Sequence, residues 1–156
     1  MNTIMVYIGE HKWTVQALHL ACALARNNNT TVTLVRMVPV QHTRWLGTEA
    51  GNTPPTSEAY ELLREYQATA EDYGVELVVC SMQYATLADA LGEAADHLDT
   101  PVVFATLPQS VIPYWRKFQL WMLEHHLAAN QRRLYTLDQP TNVETWTPSV
   151  TLNAAK

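Results

Sequence analysis

At 156 residues, 47% of them hydrophobic, and with a formal charge of −5, the chain is sized for one domain with a substantial core. The acidic balance argues against a nucleic-acid binder, and the pairs Arg116-Lys117 and Arg132-Arg133 are too short for a polyanion track and read as solvated surface. No apolar run approaches the ~18 residues that span a bilayer, and the N-terminus lacks the basic region and cleavage site of a signal peptide, so no membrane is expected and the chain reads as cytoplasmic.

The first strand signal is TIMVYI, Thr3 to Ile8, a nearly continuous apolar run suited to a central parallel strand. Gly9 breaks it. From Trp13 to Arg26, Trp13, Ala17, Leu20, Ala21, Leu24 and Ala25 share a helical face, and Asn27-Asn28-Asn29 stops that helix because asparagine accepts a left-handed C-cap. TVTLVRMV, Thr31 to Val38, is the second strand. Residues 41–56 hold Gly47, Gly51, Pro54 and Pro55 without periodicity and read as a mobile loop.

Ser57 is expected to cap a helix running to Tyr73, which Gly74 ends. VELVVCSM, Val75 to Met82, is the third strand. Thr86 caps a helix with Leu87, Ala90, Leu91, Ala94 and Leu98 on its core stripe. PVVFATL, Pro101 to Leu107, is the fourth strand, and a fourth helix is predicted from about Pro113 to Ala129. RRLYTL, Arg132 to Leu137, is the fifth strand. Two units follow: an α/β domain over 1–138 and a C-terminal tail over 139–156 that packs at a dimer interface.

This alternation calls for an open, doubly wound parallel sheet with helices on both faces. A ligand in such a sheet sits at the carboxyl ends of strands one, two and four. The candidate crevice is Gly9, Glu10, His11, Met37, Val38, Thr106 and Ser110. In the fourth helix, Tyr114, Trp115, Phe118, Trp121 and Met122 are expected to cover the sheet. Leu120, Leu123 and Leu127 form a second stripe for the tail or another subunit.

Other constellations read as ordinary structure. Cys22 and Cys80 lie in apolar segments far apart and read as buried, reduced thiols. No cysteine–histidine spacing points to a metal. The adjacent His125 and His126 project about 100° apart on a helix and cannot share an ion, so a helix-end role is expected. Arg36, inside a strand, needs a partner; an anion site with Arg44 is the lesser reading. Ser110 has no His/Asp partners at nucleophile spacing, and no catalytic residue is assigned.

The stretch MVYIGEHKWTVQALHLACALARNNNTTVTLVRMVPV and the stretch YGVELVVCSMQYATLADALGEAADHLDTPVVFA resemble the universal stress protein family over about residues 1–138. The resemblance implies a Rossmann-like sheet of order 3-2-1-4-5, frequent homodimers and, in many members, ATP. Those members carry an Asp after strand one and a Gly-x2-Gly-x9-Gly-Ser/Thr pattern after strand four. Here the Asp position falls on Gly9, beside Glu10. The glycine positions fall on Ala105, Pro108 and Phe118, and the hydroxyl position on Gln119. Glycine permits close backbone approach, whereas proline deletes an amide donor.

The expected function is therefore a non-enzymatic regulatory or interaction protein of the stress response without the standard ATP site and with no cofactor. The alternative is a small-ligand sensor that binds a nucleotide or another anion in a rebuilt crevice. A homodimer is expected through strand five (Leu134, Tyr135, Leu137) and the tail, because an edge strand must be covered, charged or paired.

Overall fold

The computed structural model describes residues 2–40 and 55–137. The expected loop, apart from residues 55 and 56, and the expected tail lie outside the described residues. The elements are β1 (Thr3–Tyr7), α1 (His11–Asn28), β2 (Thr31–Pro39), α2 (Ser57–Tyr73), β3 (Leu77–Tyr84), α3 (Leu87–Leu98), β4 (Val102–Phe104), α4 (Trp115–Ala129) and β5 (Arg133–Tyr135). All neighbouring strands pair in parallel, in the order β3-β2-β1-β4-β5.

The central position of β1 explains its composition. Thr3, Ile4, Met5 and Val6 are all buried because helices cover both faces of the sheet. Ile4 and Val6 join Leu18, Cys22, Tyr66 and Phe104 in a core with α1 and α2. Met5 points the other way, into a core with Leu91, Val103, Leu123 and Leu127 under α3 and α4. Buried hydroxyls of the sheet region pair with one another and with the backbone: Thr3 and Thr33 share a bond at 2.9 Å, and Thr100 Oγ1 donates to the Thr3 carbonyl at 2.6 Å, whereas the buried Thr30 Oγ1 has no partner among the described residues.

The expected helix stops are present. Asn29 (φ 51°) and Gly74 (φ 70°) both adopt the left-handed C-cap conformation. The start of α2 is set one residue earlier than expected, by Thr56, whose Oγ1 accepts from the Ala59 amide at 3.2 Å. Thr86 precedes α3 in extended conformation, but its side chain makes no capping bond. Strand β3 begins two residues later than predicted, since Val75 N donates to the Ala70 carbonyl at 3.0 Å and completes the exit from α2.

The fourth helix corrects the sequence reading. Leu123 and Leu127 are buried, with Leu120 packed beside them, and this stripe faces the sheet. The aromatic stripe faces out: Trp115 is 44% exposed and Trp121 58%. Both stripes have helical spacing, so hydrophobicity alone does not choose between them. Arg116 lies in line with the leucine stripe, and its Nε donates to the Leu107 carbonyl at 2.8 Å. That bond is compatible with the rotation that turns positions 120, 123 and 127 inward. Pro113 lies outside the helix, which starts after Tyr114 in left-handed conformation (φ 63°).

Strand β5 closes one edge with three residues. Leu134 packs into the core under α3 and α4, and Leu137 into the opposite one. Tyr135 stacks on Phe104 with ring centroids 5.2 Å apart and remains 39% exposed. No helix among the described residues is long and apolar enough to cross a membrane.

Candidate functional site

Because β1 lies between β2 and β4, the segments that leave all three strands gather at one end of the sheet. Gly9, Glu10 and His11 follow β1, Met37 and Val38 close β2, and Thr106 and Ser110 follow β4. Most of their polar groups already have partners within the fold.

The turn after β1 is tied to its own helix. The Gly9 amide donates to Thr14 Oγ1 at 3.0 Å, and that hydroxyl donates to the Glu10 carbonyl at 3.0 Å. Thr14 is fully buried, so this amide points into protein. A Cβ on Gly9 would lie 3.1 Å from the Tyr7 ring, a tight contact that any larger residue would have to relieve by shifting that ring. Glu10 is the exposed N-cap residue of α1, and its side chain makes no capping bond.

His11 turns toward α2. Its Nδ1 lies 3.0 Å from the Tyr66 hydroxyl, its Nε2 lies 3.7 Å from Glu65, and its ring stacks on Tyr66. Trp13 Nε1 donates to the Thr136 carbonyl at 2.7 Å and joins the start of α1 to the end of β5. The sequence reading does not assign these contacts: those of Thr14 are local to the turn, and the partner of Trp13 lies 123 residues away, beyond local patterning.

Met37 and Val38 present apolar surface: Val38 is buried, and Met37 packs on the core under α3 and α4. After β4, the Ala105 amide donates to the Tyr135 carbonyl at 3.2 Å. Thr106 Oγ1 accepts from Arg116 Nη2 at 3.0 Å while Arg116 Nε bonds Leu107. Ser110 Oγ accepts the Ile112 amide at 3.2 Å in a local turn. In the first turn of α4, the Trp115 and Phe118 amides donate to Ile112 and Tyr114.

The acid–base character is equally quiet. Burial raises the Tyr7 phenol, and Tyr84 raises it further. Burial also raises Tyr66, with a smaller lowering from the Thr14 hydrogen bond and a further rise from Glu65. Cys22 is pushed up to about 11 by burial and Cys80 is raised by the same cause, which suppresses thiolate nucleophiles. Among the described residues, no three His, Cys, Asp or Glu side chains converge to hold a metal ion. His126 lies in the last turn of α4, the helix-end position expected, with its Nε2 3.1 Å from Asp96, while His125 stacks on Trp121. Arg36 lies opposite Ser81 in the sheet and is engaged, and Arg44 falls outside the described residues.

No protein-family model matches the chain, and no curated protein matches it. Solved structures do. A protein of the universal stress protein family from Burkholderia pseudomallei superposes with a TM-score of 0.60 at 16% identity, covering 88% of this chain and 96% of its own. The chain has the universal stress protein fold. A universal stress protein in complex with cAMP gives a TM-score of 0.58 at 15% identity, over 88% of this chain and 96% of that one. The universal stress protein from Archaeoglobus fulgidus in complex with dAMP gives 0.53 at 13% identity, over 86% and 95%.

Within this universal stress protein fold, the positions that the sequence resemblance assigns to phosphate binding have other partners. Ala105 is fully buried, with its amide bonded to β5, and Pro108 has no amide to offer. Phe118 stacks between Trp115 and Trp121, at 5.6 and 6.3 Å, and Gln119 lines a groove between α3 and α4.

Proposed function

We propose that the chain is a non-enzymatic regulatory or interaction protein, cytoplasmic and linked to stress responses, that does not hold ATP as nucleotide-binding universal stress proteins do. The observation that carries this reading is Arg116, whose guanidinium bonds Leu107 and Thr106 in the loop after β4. The loop that would cradle a phosphate is instead braced by a side chain of the protein itself. The same cation answers the second reading, in which a nucleotide or another anion enters a rebuilt crevice beside Glu10 and Ser110. That reading draws support from the neighbours solved with cAMP and with dAMP. Thermal shift with ATP, AMP and cyclic AMP separates the two, since a ligand well above its dissociation constant raises stability. No shift with any of them supports the interaction protein; a shift of several degrees with one supports the sensor.

The edge position of β5 and the exposure of Tyr135 support pairing with a second copy, strand to strand across a two-fold axis. Light scattering at tens of micromolar is expected to report a dimer; a monomer there contradicts the pairing.

A further inference from the structure

The outward face of α4 is an ordered aromatic ladder. Trp115, Phe118 and Trp121 stack in succession, and His125 continues the stack 5.3 Å from Trp121. Phe118 and Met122 are about half exposed, at 47% and 50%. A contiguous apolar patch of this kind marks an interaction surface more often than a bare monomer face. The rings brace one another, so docking freezes little additional side-chain motion.

The upper rungs of the ladder, Trp115 and Phe118, together with Met122, form one wall of a groove of ≈ 530 Å³ whose other wall is α3. At Gly92 the two helices come close enough that a Cβ would lie 3.1 Å from the His126 ring. The α3 wall is acidic along its length, with Asp89, Glu93 and Asp96 on successive turns. Asp96 is matched by Arg132 and His126. Asp89 and Glu93 have no ion-pair partner among the described residues. Asp89 gains from the N-terminus of α3, but Glu93 sits mid-helix without such a benefit and repels Asp89 at i, i+4 spacing. The nearby cations point elsewhere: Arg116 to Leu107, and Lys117 over the Tyr114 ring at 5.8 Å.

We propose that the α3–α4 groove binds an amphipathic helix of a partner protein. The partner's apolar anchors, at i, i+3 or i+4 and i+7, seat against Trp115, Phe118 and Met122, and lysines or arginines along one flank meet Asp89 and Glu93. The ladder from Trp115 to His125 spans roughly 15 Å, about three helical turns. Unmatched carboxylates beside the apolar wall select a basic partner and disfavour an anionic membrane or a nucleotide. The proposal rests on the interaction reading above and names the chemistry of the partner.

The test uses the full chain and designed helical peptides with leucines at i, i+3, i+4 and i+7. One carries lysines on a flank and one carries glutamates there. The lysine peptide is expected to bind and to shift amide resonances of α3 and α4. Asp89→Lys combined with Glu93→Lys is expected to weaken it at least tenfold and to admit the glutamate peptide. Phe118→Ala with Met122→Ala is expected to weaken both pairings, and all four positions are exposed or line the surface, so melting curves verify folding. Binding that ignores flank charge, resonance shifts outside α3 and α4, tighter binding to phosphatidylserine vesicles, or occupation of the ladder by a second copy would each overturn the proposal. Nucleotide titration reports on the strand ends separately, so failure of the peptide and failure of the interaction reading are distinguishable.

Discussion

Arg116 Nε donates to the Leu107 carbonyl at 2.8 Å, joining the loop after β4 to the first turn of α4. The same guanidinium reaches Thr106 Oγ1, so one side chain satisfies a carbonyl and a hydroxyl at the end of the sheet. It lies in line with Leu120, Leu123 and Leu127, the stripe of α4 that faces the sheet. Loop conformation, helix rotation and the exposure of the aromatic ladder are thus mutually compatible.

Replacing Arg116 by alanine should lower unfolding stability by about 1–3 kcal/mol, the range for losing hydrogen bonds from a charged group to partly buried acceptors. Lysine should restore less than half, because it lacks the planar fork that serves both acceptors. Urea titration followed by far-ultraviolet dichroism reads the difference. An Arg116→Ala protein as stable as the parent would remove the guanidinium from its bracing role.

The two stripes of α4 predict opposite outcomes on truncation. Leu127 is fully buried, and Leu127→Ala should cost about 2–5 kcal/mol. Trp121 is 58% exposed, and Trp121→Ala should change stability by less than about 1 kcal/mol. Equal losses at the two positions would mean that the aromatic stripe is covered in the folded protein.

Burial raises the Cys22 thiol from its ordinary 9.0 to about 11, and burial raises the Tyr7 and Tyr66 phenols as well. The folded state therefore holds these protons longer than the unfolded chain does. This contribution is complete below about pH 9 and is lost as pH rises through 11. For Cys22 it amounts to about 2–3 kcal/mol. Urea midpoints should fall between pH 9 and 11, and Cys22→Ala should show a shallower fall. Rapid alkylation of Cys22 in the native protein near neutral pH would contradict the burial.

The fold was legible because its signals are redundant. The first strand is buried on both faces and shows it as an unbroken apolar run, and Asn29 and Gly74 mark helix ends by residue type. The rotation of α4 was not legible, because Trp115, Phe118 and Trp121 compete with Leu120, Leu123 and Leu127 at the same helical period. Arg116, in line with the buried stripe, is polar and bonds a backbone carbonyl nine residues away. The candidate crevice divides in the same way. Its location follows from strand order, which alternation of elements implies. The engagement of His11 by Tyr66 and of Trp13 by Thr136 depends on tertiary contacts 55 and 123 residues apart. The left-handed Asp99 that ends α3 also escaped notice, since aspartate marks helix starts more often than ends.

The central claim is that the carboxyl end of the sheet, where a doubly wound fold places its ligand, is braced by the protein's own side chains here. Isothermal titration of ATP into the full chain tests it most directly. The account predicts no saturable heat at micromolar nucleotide, and no change when Arg116 is replaced by methionine. Micromolar binding at one ATP per chain, abolished by Glu10→Ala or Ser110→Ala, would contradict it.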